Sequence, residues 1–131
     1  MHLDMLQTHP IDTPNAEGLA DVLSALAECV QTCTICADAC LAEDMVADLR
    51  NCIRLNLDCV DVCAATQGVL ARQVGREVAV INALLSACAA ACAACATECE
   101  QHAEIHEHCR VCAEACRRCE RLCLDLVAGQ A

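Results

Sequence analysis

The sequence predicts an all-α fold, an up-down-up-down antiparallel four-helix bundle with a cysteine-lined core, and three observations carry that prediction. The 131 residues include 16 cysteines, and these fall into four groups along the chain. Within the groups nearly every step is three or four residues, which keeps the members on one stripe of an α-helix. The chain has no Phe, Trp or Tyr, so the volume that aromatic side chains normally give a core must come from elsewhere. One domain is expected at this length, spanning 13–131, behind a flexible N-terminal segment 1–12 in which His2, Met5 and His9 are solvated.

The first helix is expected over about 13–42, with Thr13 as N-cap ahead of Pro14 at the first helical position. It carries Cys29, Cys33, Cys36 and Cys40. The interval of 12 residues from Cys40 to Cys52 is out of phase with a continuous stripe, so a tight turn belongs near 42–45. The second helix, about 45–67, carries Cys52, Cys59 and Cys63 and stops at Gly68. Between Cys52 and Cys59 the same stripe holds Asn56, a polar amide where the pattern asks for cysteine. From Cys63 to Cys88 the phase is nearly kept, and the break rests on Gly68, Gly75 and the ~85 Å that an unbroken helix would span. The third helix, about 72–101, carries Cys88, Cys92, Cys95 and Cys99. A second out-of-phase interval, 10 residues from Cys99 to Cys109, places a turn near 102–107. The fourth helix, about 106–128, carries Cys109, Cys112, Cys116, Cys119 and Cys123 and stops at Gly129.

Helices of similar length joined by short turns pack as antiparallel neighbours, and that connectivity sorts the remaining residues into two ends. The first and third turns bring Met45, His102, His106 and His108 together. Followed the other way, the stripes run into Val22 and Leu26, Ile81 and Leu85, and Leu126. One end of the tube should be lined by soft or borderline ligands and the other plugged by aliphatics.

Charge and composition narrow the function. The formal net charge is −11 and all eight basic residues are Arg, which argues against a nucleic-acid partner. The start of the chain shows no basic n-region followed by an apolar run, so a cytoplasmic location is expected. In that compartment thiols stay reduced, and cysteines read first as metal ligands or redox groups. Val78 to Thr97 is a charge-free run of 20 residues, the length of a membrane span. More than half of it is Ala and Cys, no aromatic belt flanks it, and a buried bundle helix explains it together with the other rows.

Helical spacing decides what the thiols can do. Residues four apart on a helix have Cβ atoms ~5–6 Å apart, beyond the ~3.8 Å of a disulfide. Their sulfurs can instead lean together over one soft ion, as Cu(I) prefers. Seven pairs have this spacing: Cys29 with Cys33, Cys36 with Cys40, Cys59 with Cys63, Cys88 with Cys92, Cys95 with Cys99, Cys112 with Cys116, and Cys119 with Cys123. Structural zinc sites favour closed tetrahedra on C-x-x-C turns, whereas continuous helical rows suit a channel of two- or three-coordinate ions. Buried thiolates need neutralising charge, and about one Cu(I) per thiolate supplies it while protons leave. A core using Cys only as a small hydrophobe would be served better by Ala, Val or Leu.

With these rows the helical part of the chain resembles the cytosolic branch of the four-helix-bundle copper storage proteins. The repeated C-x-x-x-C rows carry the resemblance. It implies a store for many Cu(I) ions, open at one end and assembled as a homotetramer, with the cysteine rows as the ligands. It also implies an accessory oxygen ligand at Asn56 and mouth histidines at His102, His106 and His108. Exported members have a Met-based entry route, which this mouth, with only Met45, does not match.

For the accessory positions the residues leave two readings open. His102 follows Cys99 by three on the same stripe and reads as a ligand, while His106 and His108 lie in or beside a turn and serve as ligands or as surface residues. Met45 is either a ligand or core filler. Asn56 is either a ligand or an internal hydrogen-bonding group. Arg110, Arg117, Arg118 and Arg121 lie off the cysteine stripe and form a solvated face. The leading expectation is storage and buffering of Cu(I) without turnover, with copper delivered by a chaperone or small thiol. A zinc- or cadmium-binding, metallothionein-like detoxification protein is the alternative. A thiol redox module comes third, because an enzyme needs one activated, exposed thiol and these rows single none out.

Overall fold

The computed structural model describes residues 1–130, and among them there are helices and no strand. A short helix α1, His2–Gln7, precedes α2, Ala16–Leu41. A 3₁₀ turn, Val46–Leu49, leads into α3, Arg50–Ala71, followed by α4, Val78–His102, and α5, Glu107–Gln130. The four long helices close a ring: α2 packs on α3 and α5, α3 on α4, and α4 on α5. Diagonally opposed helices meet through side chains at the centre, as where Cys29 of α2 lies 4.0 Å from Cys92 of α4.

Several helix ends depart from the sequence expectation. Asn15, not Thr13, caps α2: it takes the left-handed conformation at φ 53° and its side-chain oxygen accepts from Gly18 N–H at 3.3 Å. Asn reaches that region at lower cost than other side chains and is a strong cap, so it outcompetes Thr13 and Pro14. Gly18 makes the cap possible, since a Cβ there would come within 2.4 Å of the Asn15 side chain. Helix α3 starts after a 3₁₀ turn and runs through Gly68, where a stop was expected, to Ala71. A glycine inside a helix costs about 1 kcal/mol relative to Ala, but continuing the helix seats Leu70, fully buried, and burying such a side chain gains ~1.5–3 kcal/mol. The reversal therefore falls at 72–77 around Gly75, which has φ +65°, and α4 begins six residues later than the expected 72. Gln73 is buried in this loop and donates to the Leu70 carbonyl at 2.9 Å, satisfying one end group of α3. Helix α5 passes through Gly129.

The segment 1–12, expected to be a flexible tail, contains α1, which docks on α2 by burying Leu6 with Leu3 beside it. Apolar docking gives this short helix the support that its length cannot. His2 and Met5 remain exposed.

All 16 cysteines are buried, and the interior they occupy ends in aliphatics on one side. Val22, Leu26, Ile81, Leu85 and Leu126 are buried there as the stripes predicted, joined by Leu19, Leu23 and Leu70. Helices α2 and α4 are each long and apolar enough to cross a membrane. Both turn their cysteine rows to the interior shared with α3 and α5. The arginines lie on the outside, with Arg117 paired to Glu100 of α4 at 2.8 Å and Arg118 to Glu28 of α2 at 3.3 Å.

Candidate metal centre

The 3.5-residue average of the cysteine rows keeps each row facing inward along its helix, so the sulfurs stack as one column. Near the aliphatic end Cys63 meets Cys88 at 3.4 Å and Cys92 at 3.7 Å. Higher up, Cys29 touches Cys33 and Cys59 at 3.8 Å and Cys116 at 3.9 Å. Cys33 in turn touches Cys116 at 3.5 Å and Cys112 at 3.7 Å. These separations are far beyond a ~2.05 Å disulfide bond, and every cysteine is free.

The pairing differs from the sequence expectation. Of the seven i, i+4 pairs, Cys29 with Cys33 and Cys59 with Cys63 are in contact at 3.8 Å, but shorter contacts run between helices. The resulting sets hold three or four ligand atoms within 4.8 Å of one another: Cys29, Cys33, Cys59 and Cys116; Cys29, Cys63, Cys92 and Cys119; Cys33, Cys95, Cys112 and Cys116. Neighbouring sets share members, as Cys29 and Cys33 show. A tetrahedron of ~2.3 Å Zn–S bonds has edges of ~3.8 Å, so distance alone does not choose the metal. Sharing favours a monovalent ion: sulfurs common to two sets would bridge successive ions, and a row of divalent ions at this spacing would repel more than a row of monovalent ones.

Asn56 sits inside the column, fully buried. Its Oδ1 accepts from Cys95 at 3.0 Å, Cys112 at 3.4 Å and Cys99 at 3.7 Å, while its Nδ2 faces Cys52 at 3.9 Å. Both readings of this residue are physically compatible, since the oxygen that accepts from thiols stands among three sulfurs. Beyond it Cys52 meets Cys99 at 3.7 Å, and the column closes on Cys36, Cys40, Cys109 and His108, another potential ligand set.

At that end His108 turns Nδ1 toward Cys36 at 3.4 Å and Cys109 at 3.6 Å. His106, read from sequence as ligand or surface residue, is only 5% exposed and stacks on His108 with ring centroids 5.3 Å apart. His102 turns Nε2 to Glu98 at 3.3 Å. Met45 precedes the 3₁₀ turn and is 43% exposed. Three residues here escaped the sequence reading. Glu98 lies four residues before His102 on one helix face, a spacing that could have revealed it. Glu43 reaches both His106 and His108, and the 3₁₀ turn buries Leu49 completely.

The column has a patterned acidity. Burial pushes the Cys40 thiol up to about 11 and also raises Cys109. Between them Cys36 is held well below the usual thiol range, first by hydrogen bonds from Cys112, Cys52 and Cys99. Deeper in, Cys29 is lowered first by a hydrogen bond from Cys116, which is itself raised, first by its hydrogen bond with Cys112. A thiolate in this column is thus supported by neighbours that remain protonated, and metal must displace those protons to enter.

Comparison with known proteins fits this geometry. The copper storage protein family model matches residues 15–128. Among solved structures, the copper storage protein Ccsp of Streptomyces lividans loaded with 10 copper equivalents is 52% identical. That match covers 98% of this chain and 99% of that one, with a TM-score of 0.96. The cytosolic copper storage protein of Streptomyces lividans with five coppers is 55% identical over 86% of this chain and 93% of that one, TM-score 0.85. A variant of Ccsp with two histidines replaced by alanine is 53% identical, covering 88% and 97% with a TM-score of 0.87. No curated protein matches. Sixteen buried thiols, most of them in sets that share members, and a family model spanning nearly all of the long helices lead to one assignment: the chain belongs to the copper storage protein family.

Proposed function

We propose that this protein stores Cu(I) in the cytosol, holding many ions per chain on the thiolates of one internal column. The continuous sharing of sulfurs between neighbouring sets carries the reading, because it fits bridging thiolates with about one monovalent ion each. The relatives loaded with five and 10 copper equivalents support it, and one of them is a cytosolic protein. In this reading the four long helices form an up-down-up-down bundle with a cysteine-lined core. All 16 cysteines are ligands, Asn56 is an accessory oxygen donor, and His102, His106, His108 and Met45 form the entrance. The cysteines are buried, so none offers the exposed, activated thiol that turnover would need, and the protein acts as a store rather than an enzyme.

Copper enters by ligand exchange. A chaperone or small thiol passes the ion to an imidazole at the mouth, and His108 hands it to Cys36, the thiol that its Nδ1 faces at 3.4 Å. Protons leave as the column fills, which keeps the interior near neutrality. Exposed apolar side chains, among them Leu57 on α3 and Val80 on α4, support self-association, and the family resemblance implies a homotetramer.

Competitive titration of the reduced apoprotein with Cu(I) and Zn(II) tests the function. Cu(I) should load well beyond eight ions per chain, with protons released and Zn(II) displaced. Saturation below about eight would fall short of even one ion per pair of thiolates and overturn the column as a store. Preferential retention of Zn(II) would instead establish the metallothionein-like alternative.

A further inference from the structure

The three mouth histidines come from one short stretch of chain, and two of them share a single carboxylate contributed by a different segment. Glu43, just past the end of α2, places Oε2 3.3 Å from His106 Nδ1 and Oε1 3.5 Å from His108 Nε2. His108 Nε2 is buried and makes no hydrogen bond, and the Glu43 carboxylate faces it at 3.5 Å. The opposite nitrogen of the same ring, Nδ1, faces Cys36 and Cys109. The two rings meet Glu43 through different nitrogens, although they stack at an interplanar angle of 23°.

We infer that Glu43 is a positioning residue for copper entry, fixing opposite tautomers on His106 and His108 so that each presents a free lone pair for the ion. An imidazole coordinates through the nitrogen that carries no proton, and the hydrogen bond made by the other nitrogen decides which one that is. The Glu43 carboxylate stands 3.5 Å from Nε2 of His108 and draws the ring proton to that nitrogen, which leaves Nδ1 open toward the sulfur column. Its other oxygen, 3.3 Å from Nδ1 of His106, draws the proton to that nitrogen, which leaves Nε2 open. A carboxylate is suited to this because it has two acceptor oxygens and no donor, one oxygen for each ring. Without it both rings would sample both tautomers, and His108 would point a proton at Cys36 part of the time. This inference rests on the reading that copper passes these histidines, and it adds what makes them competent to receive it.

Glutamine at this position separates the inference from a merely structural role. Glu43→Gln keeps size and shape but replaces one acceptor oxygen with an NH₂ donor, so it can hold only one of the two rings in the parent tautomer. Long-range ¹H–¹⁵N NMR of the histidine rings in reduced apoprotein should show one tautomer for each ring in the parent, inversion of one ring in Glu43→Gln, and mixtures in Glu43→Ala. Stopped-flow uptake from a chelated Cu(I) donor should slow about tenfold or more in Glu43→Ala and by less in Glu43→Gln, with equilibrium capacity unchanged. Parent-like tautomers in Glu43→Ala would overturn the inference whatever the uptake rates. Parent-like uptake in Glu43→Ala, alongside slowed uptake in a His106→Ala/His108→Ala variant, would overturn its consequence for entry. If that histidine variant itself loads at the parent rate, the entry reading fails, and the tautomers still decide what Glu43 does.

Discussion

The two ends of this molecule are built from opposite materials. At one end the interior closes on Leu19, Val22, Leu26, Leu70, Ile81 and Leu85, all buried and none able to bind a metal. At the other it closes on His106, His108, Glu43 and Glu98, with Leu49 of the 3₁₀ turn buried. Between them lies a column of thiols too small to supply ordinary core stability: a buried Cys offers less apolar surface than a Leu, and these thiols must also change ionisation when metal enters. The contrast implies a division of labour. In the proposed reading the aliphatic end holds the empty protein together and keeps water out, which leaves the thiol column for copper and the polar end for transfer.

That division can be broken first at the aliphatic end, where the largest effect is expected. Leu26→Ala or Leu85→Ala removes a fully buried side chain and should destabilise the apoprotein by about 2–5 kcal/mol, read from denaturant unfolding. Copper uptake by whatever remains folded should keep the parent rate. A slowed uptake with intact folding would mean that ions also pass this end, and the asymmetry would be lost.

The mouth should respond in the opposite sense. Replacing His102, His106 and His108 together with an apolar residue should slow both uptake and removal by an external chelator about tenfold, equivalent to about 1.4 kcal/mol of barrier, while most of the capacity remains. Stopped-flow loading beside equilibrium stoichiometry checks this. Lower capacity at unchanged rate would make these residues a terminal store instead of an entrance.

The same contrast explains what could be read from sequence. Each cysteine row reports its own helix face, so four helices, the slot of Asn56 and the aliphatic plug followed from steps of three and four. Helix ends were less legible where local and tertiary signals compete. Gly68 reads as a stop until Leu70 is seen to need burial, and Thr13–Pro14 reads as a cap until Asn15 is found in the left-handed region. The sulfur sets across helices were hidden for a different reason: spacing shows which side chains share a face, but not the relative heights of neighbouring helices. Glu43 was hidden likewise, because its partners lie about sixty residues away and only the packing of α2 against α5 brings them together.

A smaller effect separates empty from loaded protein along the column. The Cys40 thiol is raised from an ordinary 9.0 to about 11 by burial, and Cys109 is raised for the same first reason. A group whose folded value is raised contributes stability that is fully present below its unfolded value and is lost as pH climbs to the folded one. The apoprotein should therefore lose stability between pH 9 and about 11, as the unfolded thiols ionise and the folded ones resist. Loaded protein, with its thiolates already held by metal, should show no such loss in that window. Thermal unfolding of both forms across the range checks the sign; parallel curves would mean that these two thiols are not held neutral in the empty fold.

The finest balance belongs to the cap of α2, on the aliphatic side. Asn15→Ala loses the hydrogen bond to Gly18 N–H and puts an ordinary side chain at φ 53°, two costs of about 1 kcal/mol each. Asn15→Gly keeps the backbone geometry without strain and should cost only a few tenths of a kcal/mol. Gly18→Ala is the finer case. Its Cβ would meet Asn15 Nδ2 at 2.4 Å, so the side chain must swing away and the cap is lost, but Ala also recovers up to about 1 kcal/mol of helix propensity, leaving a net change near zero. The double variant shows whether that cancellation is real. Once Asn15 is Ala there is no longer a cap for Gly18→Ala to displace, and the second substitution should then stabilise. Additive changes would place the capping energy elsewhere. A copper uptake rate that shifts with any of these variants would show that the aliphatic end is coupled to the mouth through the helices and does not stand apart from it.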